Sequence, residues 1–186
     1  SDPKEIGIVD AAIICCKTYS IDSIIDSYRD IIGEDTLVVP LQNGVTAAED
    51  IKERLKGAGQ VADGYIYCLS NIESPGVIVN RGEMLRIGIG FSDGRKNESA
   101  EELVRLLNGG GLPSVYGGAE IKTALWEKNI MMCGNSSACI YFDCATGGIQ
   151  ESPERLDFLK GVYNELKNVA RADGADVRET IPDEYM

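Results

Sequence analysis

The sequence predicts an α/β protein: part of a doubly wound sheet with an antiparallel extension, followed by the start of an all-helical domain. Three observations predict it. Apolar runs alternate with helical patterns over residues 8–55, short strand-like segments occupy residues 60–90, and helical patterns dominate from residue 120 onward. Alternating strands and helices are typical of a mainly parallel sheet with helices on its faces.

The first strand and helix are predicted from apolar periodicity. The stretch "IVDAAIICC" (8–16) is a nearly continuous apolar run, as in a parallel strand that is buried on both faces. Residues 20–32 then place apolar side chains at helical spacing, and Gly33 fits the position just after a helix.

The second strand and helix follow the same pattern. "TLVVPLQ" (36–42) is apolar, and Pro40 within it predicts a bulge or the end of the strand, because proline cannot donate to the ladder. Thr46 and Glu49 match a capping-box pattern, which predicts the start of a helix over residues 46–55.

The sequence pattern changes after residue 60. Short strand-like segments separated by Ser-Pro-Gly and Arg-Gly predict an antiparallel extension of the sheet over residues 60–90. A helix over residues 97–111 is predicted next, with Asn97 or Ser99 as its cap.

The rest of the chain has helical patterns. A long helix from Glu120 is predicted to be interrupted at Gly134, and Ser152-Pro153 is a typical start for another helix. We therefore predict a domain boundary between residues 1–118 and 119–186. Both domains resemble cut pieces, so we expect the chain to be a fragment of a longer protein.

Composition excludes several classes of function. The chain has 18 Lys and Arg against 30 Asp and Glu, a formal net charge of −12. Such acidity argues against a general nucleic-acid binder, which needs a basic face. Apolar runs are shorter than the ~20 residues that span a bilayer, and no signal-peptide pattern is present. We therefore expect a cytoplasmic protein without nucleic-acid or membrane partners.

Six cysteines and the absence of histidine limit the chemistry. The cysteines form no C-x-x-C pair, which favours free thiols in a reducing compartment over a disulfide framework. Without histidine, the histidine-dependent triads and zinc sites are excluded, and we predict no metal site. Proton transfer would have to use Lys, Asp, Glu, Tyr or Cys.

Two polar residues follow the first two predicted strands. Lys17 and Asn43 each come just after an apolar strand, and ligands of open α/β sheets bind beyond the carboxyl ends of the strands. Two such side chains on neighbouring strands could touch one ligand. The alternative is that Lys17 is a solvated strand end and Asn43 a turn former before Gly44.

The helical half offers a further candidate group. Lys128 lies in "LWEKN", within an apolar helix, and a lysine at the edge of a cleft is a candidate proton donor. Ser136 lies two turns later on about the same face, and Asn135 lies close to it. The alternatives are a lysine on a solvated helix face and small residues packed against a neighbouring helix.

One glycine-rich stretch is a false lead. "GIGFSDG" (88–94) is similar to a dinucleotide-binding loop, but its third glycine comes one residue late and a polar stretch precedes the next helix. The motif needs a glycine turn that leads directly into a helix. We predict a hairpin end here.

Taken in order, these segments resemble the ketopantoate reductase family. The resemblance depends on "CKTY", "PLQNGV" with the helix after it, "IGIGFSDG" before a helix, and "LWEKN" at the start of a helical domain. The resemblance extends from about residue 5 to about residue 150 of this chain. Members of the family are NADPH-dependent 2-dehydropantoate 2-reductases of pantothenate and coenzyme A biosynthesis with a Rossmann domain.

The resemblance implies roles for individual residues. Lys17 matches a lysine near the cofactor, and Asn43 matches an asparagine beside the nicotinamide and the substrate, with Gly44 allowing close approach. Lys128 matches the general acid, and Ser136 would contact the substrate. Residues 1–118 would then be the C-terminal part of a dinucleotide-binding Rossmann domain, and residues 119–186 the N-terminal part of a helical substrate and dimerisation domain.

The sequence also departs from the family. The strand with the phosphate-binding glycines and the later segment with a substrate-binding serine and glutamate are missing. Met132 and Ser136 stand where some members have asparagines. Reduction of another 2-keto acid and a non-catalytic interaction or sensor module therefore remain alternatives. We expect this chain alone to be inactive and to self-associate, for example as a homodimer, through open strand edges.

Overall fold

The computed structural model describes residues 2–82 and 84–184. The chain divides into two compact units, residues 1–121 and residues 122–186. Within the described residues, the strands lie in the first unit and the second unit is helical. In this part of the chain, no helix is both long enough and apolar enough to cross a membrane.

The parallel part of the sheet has the strand order β1-β2-β3. β1 (Ala11–Ile14) pairs in parallel with β2 (Leu37–Pro40), and β2 pairs in parallel with β3 (Gln60–Val61). Helices α1 (Ile21–Tyr28) and α2 (Ala47–Leu55) lie between these strands in the sequence. The predicted order of strand, helix, strand and helix is therefore confirmed.

β2 is buried on both of its faces. The same burial predicted for the first strand is wrong, because Ile13 of β1 is 42% exposed. Val38 belongs to a core cluster with side chains of α1 and α2, whereas Leu37 and Val39 belong to a second cluster with residues from 87–104. Successive side chains of a strand point to opposite faces, so both faces are covered. Pro40 is the last residue of β2, which confirms the predicted strand end.

The antiparallel extension begins where the parallel sheet ends. β4 (Asp63–Tyr67) pairs with β7 (Arg86–Gly90) in antiparallel orientation, and β8 (Ser114–Tyr116) pairs with β7 in parallel. Only Ala62 separates β3 from β4, and its backbone N–H donates to Val38 O at 2.9 Å. One extended segment thus leaves the parallel sheet and enters the antiparallel pair.

Between β4 and β7 the chain forms a hairpin with its own two-stranded sheet. β5 (Ser70–Ser74) and β6 (Val77–Asn80) are almost entirely exposed. Ile72 and Ile78 are register partners across the hairpin and are 74% and 73% exposed. The antiparallel extension is real, but this hairpin lies outside the main sheet.

Helix α3 (Glu98–Gly109) has the predicted cap. Asn97 Oδ1 accepts a hydrogen bond from the Ala100 backbone N–H at 2.9 Å. The "GIG" of residues 88–90 lies in β7, and α3 starts several residues beyond Gly94. The glycine-rich stretch is therefore not a phosphate-binding loop, as predicted. The predicted hairpin end is wrong, because β7 leads through a turn into α3 and not into another strand.

The capping box predicted at Thr46 and Glu49 is wrong. Thr46 precedes α2 with φ −103° and ψ −12°, so its backbone is near the helical region instead of the extended conformation that a capping side chain needs. Its hydroxyl pairs with Asp50 Oδ2 at 3.2 Å. The sequence matches the capping-box pattern, but the backbone at Thr46 does not have the conformation that a capping box needs.

The second unit is built from helices. Their bounds are α4 (Ile121–Phe142), α5 (Thr146–Gln150), α6 (Pro153–Ala172) and α7 (Ile181–Glu184). α6 begins at Pro153 directly after Ser152, as predicted. The predicted interruption at Gly134 is wrong, because α4 continues through it.

Gly134 allows two helices to approach closely. A Cβ at this position would lie 2.3 Å and 2.4 Å from ring carbons of Tyr163 in α6, a side chain that is fully buried. Asn135 Nδ2 donates to Tyr163 Oη at 2.9 Å and to Met131 O at 2.9 Å. Gly134 is thus a packing residue at the α4–α6 contact and not a helix breaker.

Candidate functional site

The ends of β1 and β2 lie side by side at the carboxyl edge of the parallel strands. Ile14 pairs with Pro40, and the Leu41 N–H still donates to Ile14 O at 2.9 Å. Lys17 and Asn43 each come three residues after that pair. The two predicted residues therefore lie at the same edge of the sheet, where open α/β sheets bind their ligands.

A side-chain contact joins the residues that precede them. Gln42 is only 7% exposed, and its Nε2 lies 3.6 Å from Cys16 Sγ. Cys16 packs against the core cluster of α1 and α2. The contact between the half-buried Cys16 and the buried Gln42 thus connects the two strand ends.

Lys17, Asn43 and Gly44 lie at the surface of this edge. The side chains of Lys17 and Asn43 are exposed, and Lys17 starts a short 3-10 helix with an extended backbone. Gly44 has φ +100°, a conformation that L-residues rarely adopt, and a Cβ there would meet no atom within 4 Å. This edge combines an ammonium, a carboxamide and an open glycine turn, which suits a ligand with anionic and amide groups.

Lys128 is a buried lysine in α4. It is 6% exposed, between the buried Trp126 and Ile130 in the sequence. Burial lowers the pKa of its ammonium below the ordinary lysine value, because desolvation disfavours the charged form. A lysine of this kind donates a proton more readily than an exposed one.

One face of α4 continues from Lys128. Met132 and Ser136 lie one and two turns later on that face, and both are exposed, Met132 at 39%. Asn135, another candidate of the sequence, is hydrogen-bonded to Tyr163 and supports helix packing instead. The face thus has a buried ammonium, followed by an exposed thioether and an exposed hydroxyl.

The predicted residues form two groups, one in each unit. Lys17, Asn43 and Gly44 lie at the strand ends, and Lys128 and Ser136 lie on the α4 face. Their roles in binding or catalysis remain predictions. In the described part of the chain, no group of three or more His, Cys, Asp or Glu side chains could hold a metal ion, and each of the six cysteines is a free thiol.

Sequence reasoning overlooked Gln42. Its signal was a polar residue that directly continues a buried apolar run, at the position just before Asn43. The sequence does not predict that the Gln42 side chain turns inward and reaches Cys16, because this depends on how the two strand ends pack.

Comparison with known families covers most of the chain. Residues 1–94 match the family model described as "Ketopantoate reductase PanE/ApbA", and residues 120–186 match "Ketopantoate reductase PanE/ApbA C terminal". A 2-dehydropantoate 2-reductase of Streptococcus pyogenes serotype M3 is 23% identical over 180 residues, which are 95% of this chain and 57% of the relative. The chain therefore spans little more than half the length of that relative.

Solved structures share the fold. The 2-dehydropantoate 2-reductase of Porphyromonas gingivalis W83 has a TM-score of 0.87 at 24% identity, over 99% of this chain and 63% of that one. A D-mandelate dehydrogenase solved in complex with NADH has a TM-score of 0.81 at 18% identity, over 95% of this chain and 59% of that one. At these identities the likeness concerns the fold: a Rossmann-like domain followed by helices.

Proposed function

Because the chain belongs to the ketopantoate reductase family, we propose that it serves the NADPH-dependent reduction of 2-dehydropantoate to pantoate. The family is one of oxidoreductases that use a nicotinamide cofactor. The observation that supports the proposal best is Lys128, a buried lysine with a lowered pKa in a chain that has no histidine.

Lys128 is the proposed general acid. Negative charge builds on the ketone oxygen of a 2-keto acid as the carbonyl carbon is reduced. An ammonium within hydrogen-bonding distance stabilises that charge and then delivers a proton from Nζ to the oxygen. Because burial lowers the pKa of Lys128, the proton leaves it more easily than it would leave an exposed lysine.

The strand ends of the first unit are the proposed place for the nicotinamide end of the cofactor. NADPH supplies the hydride when it is bound. Lys17 would attract its negative charges, and Asn43 would orient the nicotinamide and the substrate. The Asn43 carboxamide cannot provide the proton, but it can donate and accept hydrogen bonds that fix geometry. The preference for NADPH over NADH is proposed from the family alone.

The domain roles follow from the same proposal. Residues 1–118 would belong to the dinucleotide-binding domain, and residues 119–186 would belong to the helical domain for substrate binding and dimerisation. A cytoplasmic location and a homodimer remain predictions of the same kind. The family models match on both sides of the proposed boundary, which supports this division.

A second candidate function is the reduction of a different 2-keto acid. Met132 is exposed one turn after Lys128, and its thioether cannot donate a hydrogen bond to a substrate hydroxyl. Ser136 is the nearest hydroxyl on that face, another turn away. A substrate with an apolar chain next to its keto group would suit this face.

The test is NADPH oxidation by the complete product of the gene, with 2-dehydropantoate and a panel of other 2-keto acids. Lys128→Ala should lower kcat by about 10²–10⁴-fold, the usual contribution of a general acid. Lys96→Ala is the matched control, because Lys96 is an exposed lysine of the first unit.

Each outcome identifies a different function. Turnover of 2-dehydropantoate that collapses in Lys128→Ala supports the proposed reaction and its proton donor. Turnover of another keto acid keeps the mechanism and changes the substrate. A folded protein that binds NADPH but reduces none of the keto acids would instead be a non-catalytic binding module.

A further inference from the structure

Gln42 contains an acceptor that the fold leaves without a partner. In the described part of the chain, its Oε1 is the only buried side-chain oxygen or nitrogen atom that lacks a hydrogen bond. The other end of the same amide, Nε2, lies 3.6 Å from Cys16 Sγ. Gln42 as a whole is 7% exposed.

Such an atom costs folding free energy, because water is removed from an acceptor and nothing replaces it. A leucine or methionine would fill much of the same space without that cost. Cys16, the neighbour of Gln42, packs against an apolar cluster of α1, α2 and the sheet. Buried unsatisfied groups are rare in native proteins, so this one calls for a reason.

Its position suggests the reason. Gln42 directly precedes Asn43 and Gly44, at the carboxyl ends of two parallel strands, where ligands of such sheets bind. The oxygen is covered by the surrounding protein, so a ligand could reach it only after a small movement of the turn that follows. Gly44, with φ +100° and open space around it, is a residue that permits this movement.

We propose that Gln42 is a cofactor-binding residue whose Oε1 accepts a hydrogen bond from the carboxamide N–H of the bound nicotinamide. The contact with Cys16 holds the other end of the Gln42 amide and so directs the oxygen. This inference depends on the proposed dinucleotide site, and it adds to that site a residue that selects the nicotinamide carboxamide.

Binding measurements on the complete gene product test the contact without any need for turnover. Gln42→Leu should weaken NADPH binding by about tenfold, the loss expected for one buried hydrogen bond. It should leave the affinity for 2′-phospho-ADP-ribose, which has no nicotinamide, unchanged. The 3-acetylpyridine analogue of NADPH lacks the N–H donor. Wild type should therefore bind the analogue about tenfold more weakly than it binds NADPH. Gln42→Leu should bind the analogue as tightly as wild type does, because the hydrogen bond is absent in both cases.

Gln60→Leu is the matched control, and Gln42→Met is a second variant should the leucine variant fold poorly. Gln60 pairs with Leu37 at the opposite, amino end of the same sheet, and its Nε2 donates to Glu34 O at 3.3 Å. Gln60→Leu should bind NADPH like wild type. The ligand-free Gln42 variants should unfold at a temperature equal to or above that of wild type, because they remove an unsatisfied atom.

Three results would overturn this inference but leave the proposed function intact. The Gln42 variants could bind NADPH as tightly as wild type, or they could lose as much affinity for 2′-phospho-ADP-ribose as for NADPH. The third result is that the losses of affinity caused by the substitution and by the analogue add up. A lower unfolding temperature of the ligand-free variants would also count against it, since the oxygen would then have a partner already. If wild type binds neither NADPH nor NADH, the proposed function fails as well, which distinguishes the two failures.

Discussion

At the scale of single residues, the candidate groups differ in how they are buried. Lys128 is 6% exposed, whereas Lys17 and Asn43 are exposed at the end of the sheet. Exposed polar residues can meet a ligand without rearrangement, and a buried lysine has altered acidity. The candidates of the two units therefore differ in exposure, and for Lys128 burial also lowers the pKa.

The acidity of Lys128 predicts a pH dependence. Reduction needs the protonated ammonium, so kcat for keto-acid reduction should fall as pH rises through the pKa of Lys128. Because burial lowers that pKa, the fall should begin below the ordinary lysine pKa of 10.5. Lys128→Arg should retain some activity and lose this fall, since a guanidinium stays protonated. A wild-type profile that is flat across this range would argue against Lys128 as the acid.

The position of the first candidate residues could be predicted from sequence, but their surroundings could not. The apolar runs before Lys17 and Asn43 place them at strand ends, because continuous apolar runs are typical of buried parallel strands. Whether Gln42 points inward depends on the packing of two strand ends against α1 and α2, which local patterns do not contain. Asn135 shows the same limit, since its partner Tyr163 lies in another helix.

At the scale of elements, the contact between α4 and α6 depends on the absence of a side chain. Gly134 stands against the ring of the fully buried Tyr163, so the two helices meet at a point where a Cβ would not fit. The sequence suggested a break in α4 because glycine weakens helices. The role of Gly134 becomes visible only with α6 in place, whereas the start of α6 itself was predictable from Ser152-Pro153.

Two matched glycine substitutions test this contact. Gly134→Ala should lower the free energy of unfolding by about 1–3 kcal/mol, because the new methyl group overpacks the contact with Tyr163. Gly161→Ala in α6 should raise it by about 0.4–1 kcal/mol, because a Cβ there meets no atom within 4 Å and alanine favours the helix. Urea titrations followed by circular dichroism give both values. Equal effects of the two substitutions would refute the proposed close contact.

Ion pairs of Glu179 hold the segment after α6 against that helix. Glu179 accepts from Lys167 Nζ at 2.6 Å and from Arg171 Nη1 at 3.0 Å. These hydrogen bonds, the Lys167 one first, lower the pKa of Glu179 from 4.5 to about 2. The pKa of Glu179 is lower in the folded protein than in the unfolded chain. Its ion pairs therefore stabilise the fold fully at pH values above the pKa in the unfolded chain. This stabilisation is lost as pH falls through the pKa in the folded protein.

Glu179→Gln tests this dependence. The variant should be less stable than wild type at neutral pH, and the difference in unfolding temperature should shrink as pH falls from 4.5 toward 2, since protonation removes the same charge from wild type. Added salt should also reduce the difference, because Glu179 is at the surface. A difference that stays constant over this pH range would show that the charge of Glu179 is not responsible.

At the scale of the whole molecule, the first unit has a strand with an open side. Among the described strands, β1 pairs only with β2, and Ile13 on it is 42% exposed. Unpaired edges with apolar side chains are sites of association between chains. The predicted self-association would therefore use β1.

Substituting the edge residue tests that prediction on the 186-residue chain. Ile13→Lys should raise the dissociation constant of a homodimer by about tenfold or more, because edge lysines oppose strand pairing. Sedimentation equilibrium measures it. Ile72→Lys is the matched control, since Ile72 is an exposed isoleucine of the β5–β6 hairpin. If Ile13→Lys leaves the dimer intact, another surface forms it.

The β5–β6 hairpin has a consequence for the order in which the chain folds. It contributes little to the core, but its strands join residues as close in sequence as Ile72 and Ile78, whereas the β4–β7 ladder joins Asp63 with Gly90. Once the hairpin has closed, which takes on the order of 1–10 μs, much of the loop between β4 and β7 is already spanned. Weakening the hairpin should therefore slow folding more than it speeds unfolding in stopped-flow experiments. The exposed hairpin would then contribute to native stability mainly through the rate at which the sheet forms.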